Sequence, residues 1–491
     1  MADPQRMTKR LLEAEVSRRA ILRGGLVAGS AAFLAACGAA ATPSPAAPAT
    51  APPTAAATAA SPTTAPTAAP TTAAATAGPT VVPSPTQAAE NFAGVTINVW
   101  TTLTPEQLVK NAKAIWEPKT GGVVNITTLD FGDVPIKYAG VISANDASVD
   151  VLYTYAGFMG QFGDRIYDDI STLVPDTSPW LPSTIGIMSP AGVLRALPVH
   201  SETEIFIYNK KMFADAGVDP DNIPTTWDEL YALSPKLTSG NRYPCVVPWI
   251  APTGRKSILY FLVYYNSFPN AKFVSDDNTQ VLFNTEEGLE TFRCIERGFK
   301  AGFFDPAGMT LQNDYESGLV FNAGDSASQI NYSELWGQAV SQNVADFKAT
   351  IDPADVGASV MPGVMPGTHG GSNGFEGFGI NKYSAQKEAA ISFIKTVAGF
   401  DVQKAMNLTK ILPSSRVDVL NDPEVVATYT LAPTLVEQGK YNAYFVNTPY
   451  VVQPVFADVI TKLYNGDFTA AQAHAAAVEG VEKLIVEYLT T

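Results

Sequence analysis

Carboxylates are the first residues of this 491-residue chain whose spacing suggests chemistry. Glu202 and Glu204 lie two apart in an extended run, Leu197 to Lys210, so their side chains share one face and could work as an acid/base pair. The alternative is the polar edge of a strand. Gly370-Gly371-Ser372-Asn373-Gly374 matches the pattern of a serine hydrolase, which raises its serine on a tight strand-to-helix turn. Here the motif follows a Pro/Gly loop and leads into a strand-like run, Phe375 to Ile380. That order is reversed, and a flexible glycine loop is the simpler reading. The histidines and cysteines, three of each, offer no zinc-ligand set at a recognised spacing. Neither a phosphate loop nor a dinucleotide glycine motif occurs, so no metal or cofactor is expected.

Aromatic residues add a second kind of chemistry. Tyr153, Tyr155, Phe158, Trp249, Tyr332, Trp336, Phe375 and Tyr450 fall at strand ends or in loops, beside carboxylates and amides. Such rings stack on the C–H faces of sugars while Asp, Glu, Asn and Arg bind hydroxyls, although any one ring can equally be core packing.

The elements that must position these groups alternate in type. Val95–Trp100, Val123–Leu129 and Asp150–Tyr155 read as strands, with helices expected over Thr104–Trp116 and Val134–Ala144 between them. This βαβαβ order argues for a parallel sheet covered by helices. Further on, Ile205–Tyr208 reads as a strand, 273–283 as a hairpin and Glu286–Lys300 as a helix, and the last hundred residues are mostly helical. The folded part, about 400 residues, exceeds one core and suits two lobes.

Upstream lies a different kind of sequence. Gly24 to Ala36 is apolar but spans only about 20 Å as a helix, too short to cross a bilayer. Six basic residues precede it, including Arg18-Arg19, and Leu34-Ala35-Ala36-Cys37 closes it. Residues 1–36 therefore read as an export signal, of possible twin-arginine type, with Cys37 as a lipidation point. Residues 37–90 carry no charge before Glu90 and consist mostly of Ala, Thr, Pro and Ser, the composition of a disordered tether. Without the leader the chain carries 26 basic against 44 acidic side chains, a net charge of −18. Such a surface repels nucleic acid and anionic lipid. With Cys37 lipidated, Cys245 and Cys294 remain, either as a disulfide or as two buried thiols.

Several segments together resemble the bacterial extracellular solute-binding proteins of ABC importers, in their sugar-binding, maltose-binding-protein-like branch. They are Leu197–Lys210, Pro224–Leu230, Phe273–Asn284, Gly318–Gly324, Asn331–Trp336, Leu412–Arg416 and Asn447–Tyr450. The resemblance implies a two-lobed α/β fold of the type II periplasmic-binding-protein kind, each lobe a sheet flanked by helices. Lobe 1 would comprise 92–203 plus about 357–400, and lobe 2 about 204–356 plus 401–491. It also implies a monomeric, extracytoplasmic receptor, anchored by lipid at Cys37, that closes on a small solute, a carbohydrate above all, and delivers it to an ABC permease. No catalysis and no nucleic-acid partner are expected. Glu202 matches the family's cleft carboxylate. Trp100, Tyr155, Trp249, Tyr332, Glu334, Trp336, Ser372, Phe375, Glu376, Arg416 and Tyr450 are the other implied ligand contacts. Glu334 stands where maltose-type members place a stacking tryptophan, with Trp336 two residues later. A glycan-active enzyme using Glu202 and Glu204, or a binder of polyol, peptide or ferric chelate, remain the alternatives.

Replacing Arg18 and Arg19 by lysine is expected to abolish export if the twin-arginine route is used, and Cys37→Ser to release the protein from the membrane fraction. Cell fractionation followed by immunoblotting reads both.

Overall fold

The computed structural model describes residues 90–250, 255–275, 277–341, 350–409, 412–441 and 452–490. The leader, Cys37, the tether and Tyr450 lie outside these residues. The first half-sheet follows the expected order: β1 (Thr96–Thr101), α1 (Glu106–Thr120), β2 (Val123–Thr128), α2 (Val134–Ala144), β3 (Val151–Tyr155) and α3 (Ala156–Ile166). β1 pairs in parallel with both β2 and β3. Helix α1 buries Leu108, Val109, Ala112 and Trp116, the spacing of a single helical face.

β4 (Leu197–Asn209) is thirteen residues long and serves two sheets. Its first half pairs antiparallel with β8 (Asn373–Ile380), which in turn pairs with β3. Its second half pairs with β6 (Ser326–Tyr332) and β7 (Val356–Ser359), and β5 (Tyr243–Val246) extends β6 in parallel. The strand order is β2-β1-β3-β8-β4-β6-β5, with β7 beside β4. Strand periodicity divides the second half of β4 cleanly. Phe206 and Tyr208 enter one apolar core, and Ile205 and Ile207 the core on the opposite face.

The longer helices of the second lobe are α4 (Arg255–Tyr265), α5 (Glu286–Lys300), α6 (Asp314–Asn322) and α7 (Ser333–Ser341). Helix α8 (Lys387–Val397) returns to lobe 1, while α9 (Gln453–Asn465) and α10 (Ala470–Thr490) complete lobe 2. Packing crosses the expected limits at two places. Met361 and Val364 pack in the cluster of Phe206 and Trp227. Val402, Met406 and Leu412 pack with lobe 1, beyond the expected limit at residue 400. Local pattern shows where strands and helices lie, whereas lobe membership depends on which sheet their apolar faces cover.

The expected hairpin forms: Val274 bridges Val281 in antiparallel fashion, and Phe273 stacks on Phe283 with centroids 4.7 Å apart. Cys245 and Cys294 are buried, unpaired thiols, both pushed up to about 12 chiefly by burial. Asp150 ties lobe 1 together. Its Oδ2 accepts from the Asn98 amide of β1 at 2.8 Å, and its Oδ1 accepts from Ser384 Oγ at 2.6 Å. Asp150→Ala strands these two donors in a site where the aspartate is only 3 % exposed, and should cost about 3 kcal/mol of stability in urea unfolding.

Candidate functional site

β8 lies between β3 and β4, and its register builds the site. Glu376 stands opposite Tyr155 on one side and His200 on the other, and Gly374 stands opposite Glu202. Period-two alternation therefore sets Tyr153, Tyr155, Gly374, Glu376, His200 and Glu202 on one face, at the lobe 1 end of the crossover. Gly374 makes room for this arrangement. A Cβ there would lie 2.5 Å from Glu202 Oε2 and 3.4 Å from Tyr155 Cε2.

These groups form one hydrogen-bonded set. Tyr153 Oη donates to Glu376 Oε1 at 2.7 Å, and His200 Nδ1 donates to Glu376 Oε2 at 3.3 Å. Burial by itself would depress the imidazole. The Glu376 hydrogen bond and the charges of Glu334, Glu376 and Glu202 outweigh it and raise His200 to about 9. Burial and the neighbouring Glu376 also lift the Tyr153 phenol well above its ordinary value, so it remains a donor. One ligand-type atom from each of His200, Glu202 and Glu376 falls within 4.8 Å of the others, a spacing that by itself would suit a cation. Both Glu376 oxygens already accept protein protons, however, and a protonated imidazole has no lone pair to give. The set is better described as carboxylates held by protons.

Lobe 2 contributes Glu334, in the first turn of α7, where the helix dipole favours a carboxylate. Its Oε2 is enclosed without a hydrogen-bond partner. Burial raises this carboxyl, with Glu376 and Asp314 pushing the same way and the His200 charge opposing them. Glu204, two residues past Glu202, has a different task. It meets Lys256 Nζ at 3.2 Å, and Lys256 also reaches Asp314 Oδ1 at 2.7 Å and sits 3.7 Å from the Tyr332 ring centroid. Lys256 and Glu204 are both 0 % exposed, so this pair is a buried structural tie and Glu204 is committed to it.

The other residues singled out by sequence fall elsewhere. Trp249 packs edge-on against Tyr260, Phe299 and Phe304 in the lobe 2 core. Phe375 lies on the opposite face of β8 from Glu376, in the lobe 1 core. Trp336 meets Tyr429 edge-on, and Trp100 stacks on Tyr138. The Arg416 guanidinium lies 4.7 Å from the Trp180 ring, donates to both Asp418 oxygens and to the Ala398 carbonyl, and is thereby engaged in packing. Ser372 is buried, with its carbonyl accepting from the Glu204 amide. The glycine loop before it is clamped rather than flexible. Gln438 Nε2 donates to the Gly370 carbonyl and Asn266 Nδ2 to that of Gly371, each at 2.8 Å, and a Cβ on Gly370 would meet the Val263 carbonyl at 1.8 Å. Sequence reasoning missed His200, although it lies two residues from Glu202 and so on the same strand face. It also missed Lys256, whose signal was a lone lysine heading the apolar run of α4.

Two α/β lobes sharing a crossing strand, with polar and aromatic groups gathered where the lobes meet, define a two-lobed binding protein. The chain belongs to the family of bacterial extracellular solute-binding proteins, whose sequence profile matches residues 101–404. Solved structures agree on the fold. Xanthomonas citri MalE, a sugar-binding protein, superposes with a TM-score of 0.68 at 16 % identity, covering 81 % of this chain and 98 % of that one. Maltose-bound MalE3 of T. maritima gives 0.64 at 18 % identity, covering 79 % and 99 %. A solute-binding protein from Agrobacterium radiobacter in complex with ribitol gives 0.65 at 19 %, covering 81 % and 100 %. By sequence, the probable amino-acid ABC transporter periplasmic-binding protein y4oP of Sinorhizobium fredii is 26 % identical over 233 residues, 48 % of this chain and 50 % of that protein. The sn-glycerol-3-phosphate-binding protein UgpB of Rhizobium meliloti is 27 % identical over 158 residues, 31 % and 35 %. The chain thus spans half or less of these two curated relatives. The family is one of transport binding proteins, and no helix among the described residues is long and apolar enough to cross a membrane.

The raised His200 predicts a pH dependence with a definite sign. Its folded value of about 9 exceeds the ordinary 6.5, so its stabilisation is complete below about pH 6.5 and is lost as pH rises through 9. Unfolding free energy should fall by up to about 3 kcal/mol between pH 6.5 and 9.5, and His200→Gln should flatten that slope in urea titrations.

Proposed function

We propose that this chain is a monomeric, lipid-anchored extracytoplasmic receptor that closes its two lobes on a neutral polyhydroxylated solute, a sugar or oligosaccharide, and presents it to an ABC permease. The observation that carries this reading is one strand face: Glu202, Glu376, Tyr153 and Tyr155 gather around buried His200 where β8 lies between β3 and β4. Such carboxylates accept hydrogen bonds from sugar hydroxyls, while Tyr155 offers a ring beside them. The maltose and ribitol bound by two structural neighbours support this solute class.

Binding is expected without turnover. An acid/base pair needs two available carboxyls, and the Lys256 tie removes Glu204 from that role. The Glu202/Glu204 enzyme therefore gives way to a receptor whose ligand need only bias closed over open, a shift from 1:99 to 99:1 requiring about 5.5 kcal/mol of differential binding.

A thermal-shift screen of mono- and oligosaccharides and polyols, with sn-glycerol-3-phosphate as comparator, tests the reading. A cognate sugar at a hundred times its Kd should add about 2.7 kcal/mol of stability and raise Tm accordingly. Glu202→Gln should weaken binding about ten- to a hundredfold without product appearing in either protein. Stabilisation by the phosphate ester alone, or sugar turnover abolished by Glu202→Gln, would overturn it.

A further inference from the structure

β8 carries three glycines, Gly374, Gly377 and Gly379, among its eight residues. Glycine inside a strand costs backbone entropy and gives nothing to pack, so each one needs a reason. Left-handed backbone is not that reason, because none of the three has a positive φ. Close approach is. A Cβ on Gly377 would lie 2.5 Å from the Leu197 carbonyl oxygen, and one on Gly379 would lie 2.6 Å from that of Arg195. Both clashes are with main chain, which cannot yield without disturbing the sheet.

Gly374 differs. Its three nearest neighbours are all side-chain atoms: Glu202 Oε2 at 2.5 Å, Glu202 Cβ at 3.2 Å and Tyr155 Cε2 at 3.4 Å from the place of a Cβ. The tyrosine distance is ordinary contact, so Glu202 is what excludes a side chain here. Its carboxylate fills the space that the glycine leaves. The oxygen is also the far end of a flexible side chain, so the strand need not move to admit a methyl group; the carboxylate must. Register gives that movement its consequence. Glu202 stands opposite Gly374 and His200 opposite Glu376, and one ligand-type atom from each of Glu202, His200 and Glu376 lies within 4.8 Å of the others. Side chains move between staggered wells rather than by small increments, so a carboxylate expelled from Gly374 is carried out of this group.

We propose that Gly374 is a positioning residue of the binding face: its absent side chain keeps open the place where the Glu202 carboxylate stands beside His200 and Glu376 and meets the solute. This deepens the sugar-receptor reading above and rests on it for the identity of the solute. The placement of Glu202 does not depend on which solute binds. One strand thus uses glycine for two purposes, at Gly377 and Gly379 to let main chains approach and at Gly374 to seat a carboxylate.

Variants of the full chain separate these roles. Gly377→Ala should lower Tm, whereas Gly374→Ala should unfold as the wild type does. A crystal structure of unliganded Gly374→Ala should show β8 unmoved and Glu202 Oε2 displaced from 2.5 Å to beyond 3.4 Å from the added Cβ. Isothermal titration with glucose, maltose and ribitol reads the consequence. Whichever of these binds the wild type should bind Gly374→Ala about tenfold or more weakly. Glu202→Asp, which draws the carboxylate back from Gly374, should weaken binding by itself and leave Gly374→Ala little further effect in the double variant. An unmoved Glu202, an unchanged affinity, losses that simply add in the double variant, or a fall in Tm matching that of Gly377→Ala would overturn the proposal. If none of the three probes bound the wild type, the sugar reading would fall together with the solute contact of Glu202. The crystal structure, which needs no solute, would then decide the placement by itself.

Discussion

β4 is the constraint on which the rest of the molecule depends. One uninterrupted strand supplies hydrogen bonds to β8 along its first half and to β6 and β7 along its second. Backbone amides left unpaired in a core are costly, so each half must find its own sheet, and the two sheets are obliged to meet at the handover near Thr203 and Glu204. Everything polar in the cleft is measured from that point. His200 and Glu202 precede it, and Glu204 follows it and faces Lys256. A strand that crosses between lobes also limits how they can move, because a hinge can act only where ladder pairing changes partner.

Buried charge at this junction is arranged in two sets with opposite purposes. The Lys256–Glu204–Asp314 set is an ion-paired group with Lys256 and Glu204 fully buried and the ammonium seated on the Tyr332 ring. Removing one partner would leave an uncompensated ion in an apolar core. The His200–Glu376–Tyr153 set is open toward Glu202, and through the charge of His200 it reaches Glu334 on the other lobe. Acceptors held in this way are polar without being mobile. Their positions are set by strand register. That pre-organisation lowers the ordering cost a solute would otherwise meet on binding.

Much of the fold was legible because it is written in short-range patterns. The βαβαβ opening, the 273–283 hairpin and the amphipathic helix Glu286–Lys300 depend on periodicity and turn residues within about a dozen positions of one another. The site was less legible. Glu202, Tyr155 and Glu376 could be named one by one, whereas Trp249, Phe375 and Arg416 could not be told from them. All six are aromatic or charged residues in strands or loops. What separates them is the face each occupies: Phe375 differs from Glu376 only by one residue of strand alternation, and Arg416 is engaged by Trp180, far away in sequence. The glycine loop was misread for a related reason. Glycine signals either freedom or close approach, and here Gly370 lies against the Val263 carbonyl.

The sequence by itself determined the acidic character and the order of strands and helices, because these rest on composition and local period, and its segments carried the resemblance to the family. Tertiary structure alone decided which carboxylate meets the buried lysine and which stands over Gly374 near the imidazole. Glu202 and Glu204 are the same residue type on the same strand face, two positions apart. One lies over Gly374 beside the imidazolium, and the other is tied to a lysine 52 residues away. Their different fates come from electrostatics in a buried setting, where a partner a few ångströms distant outweighs anything the neighbouring sequence encodes.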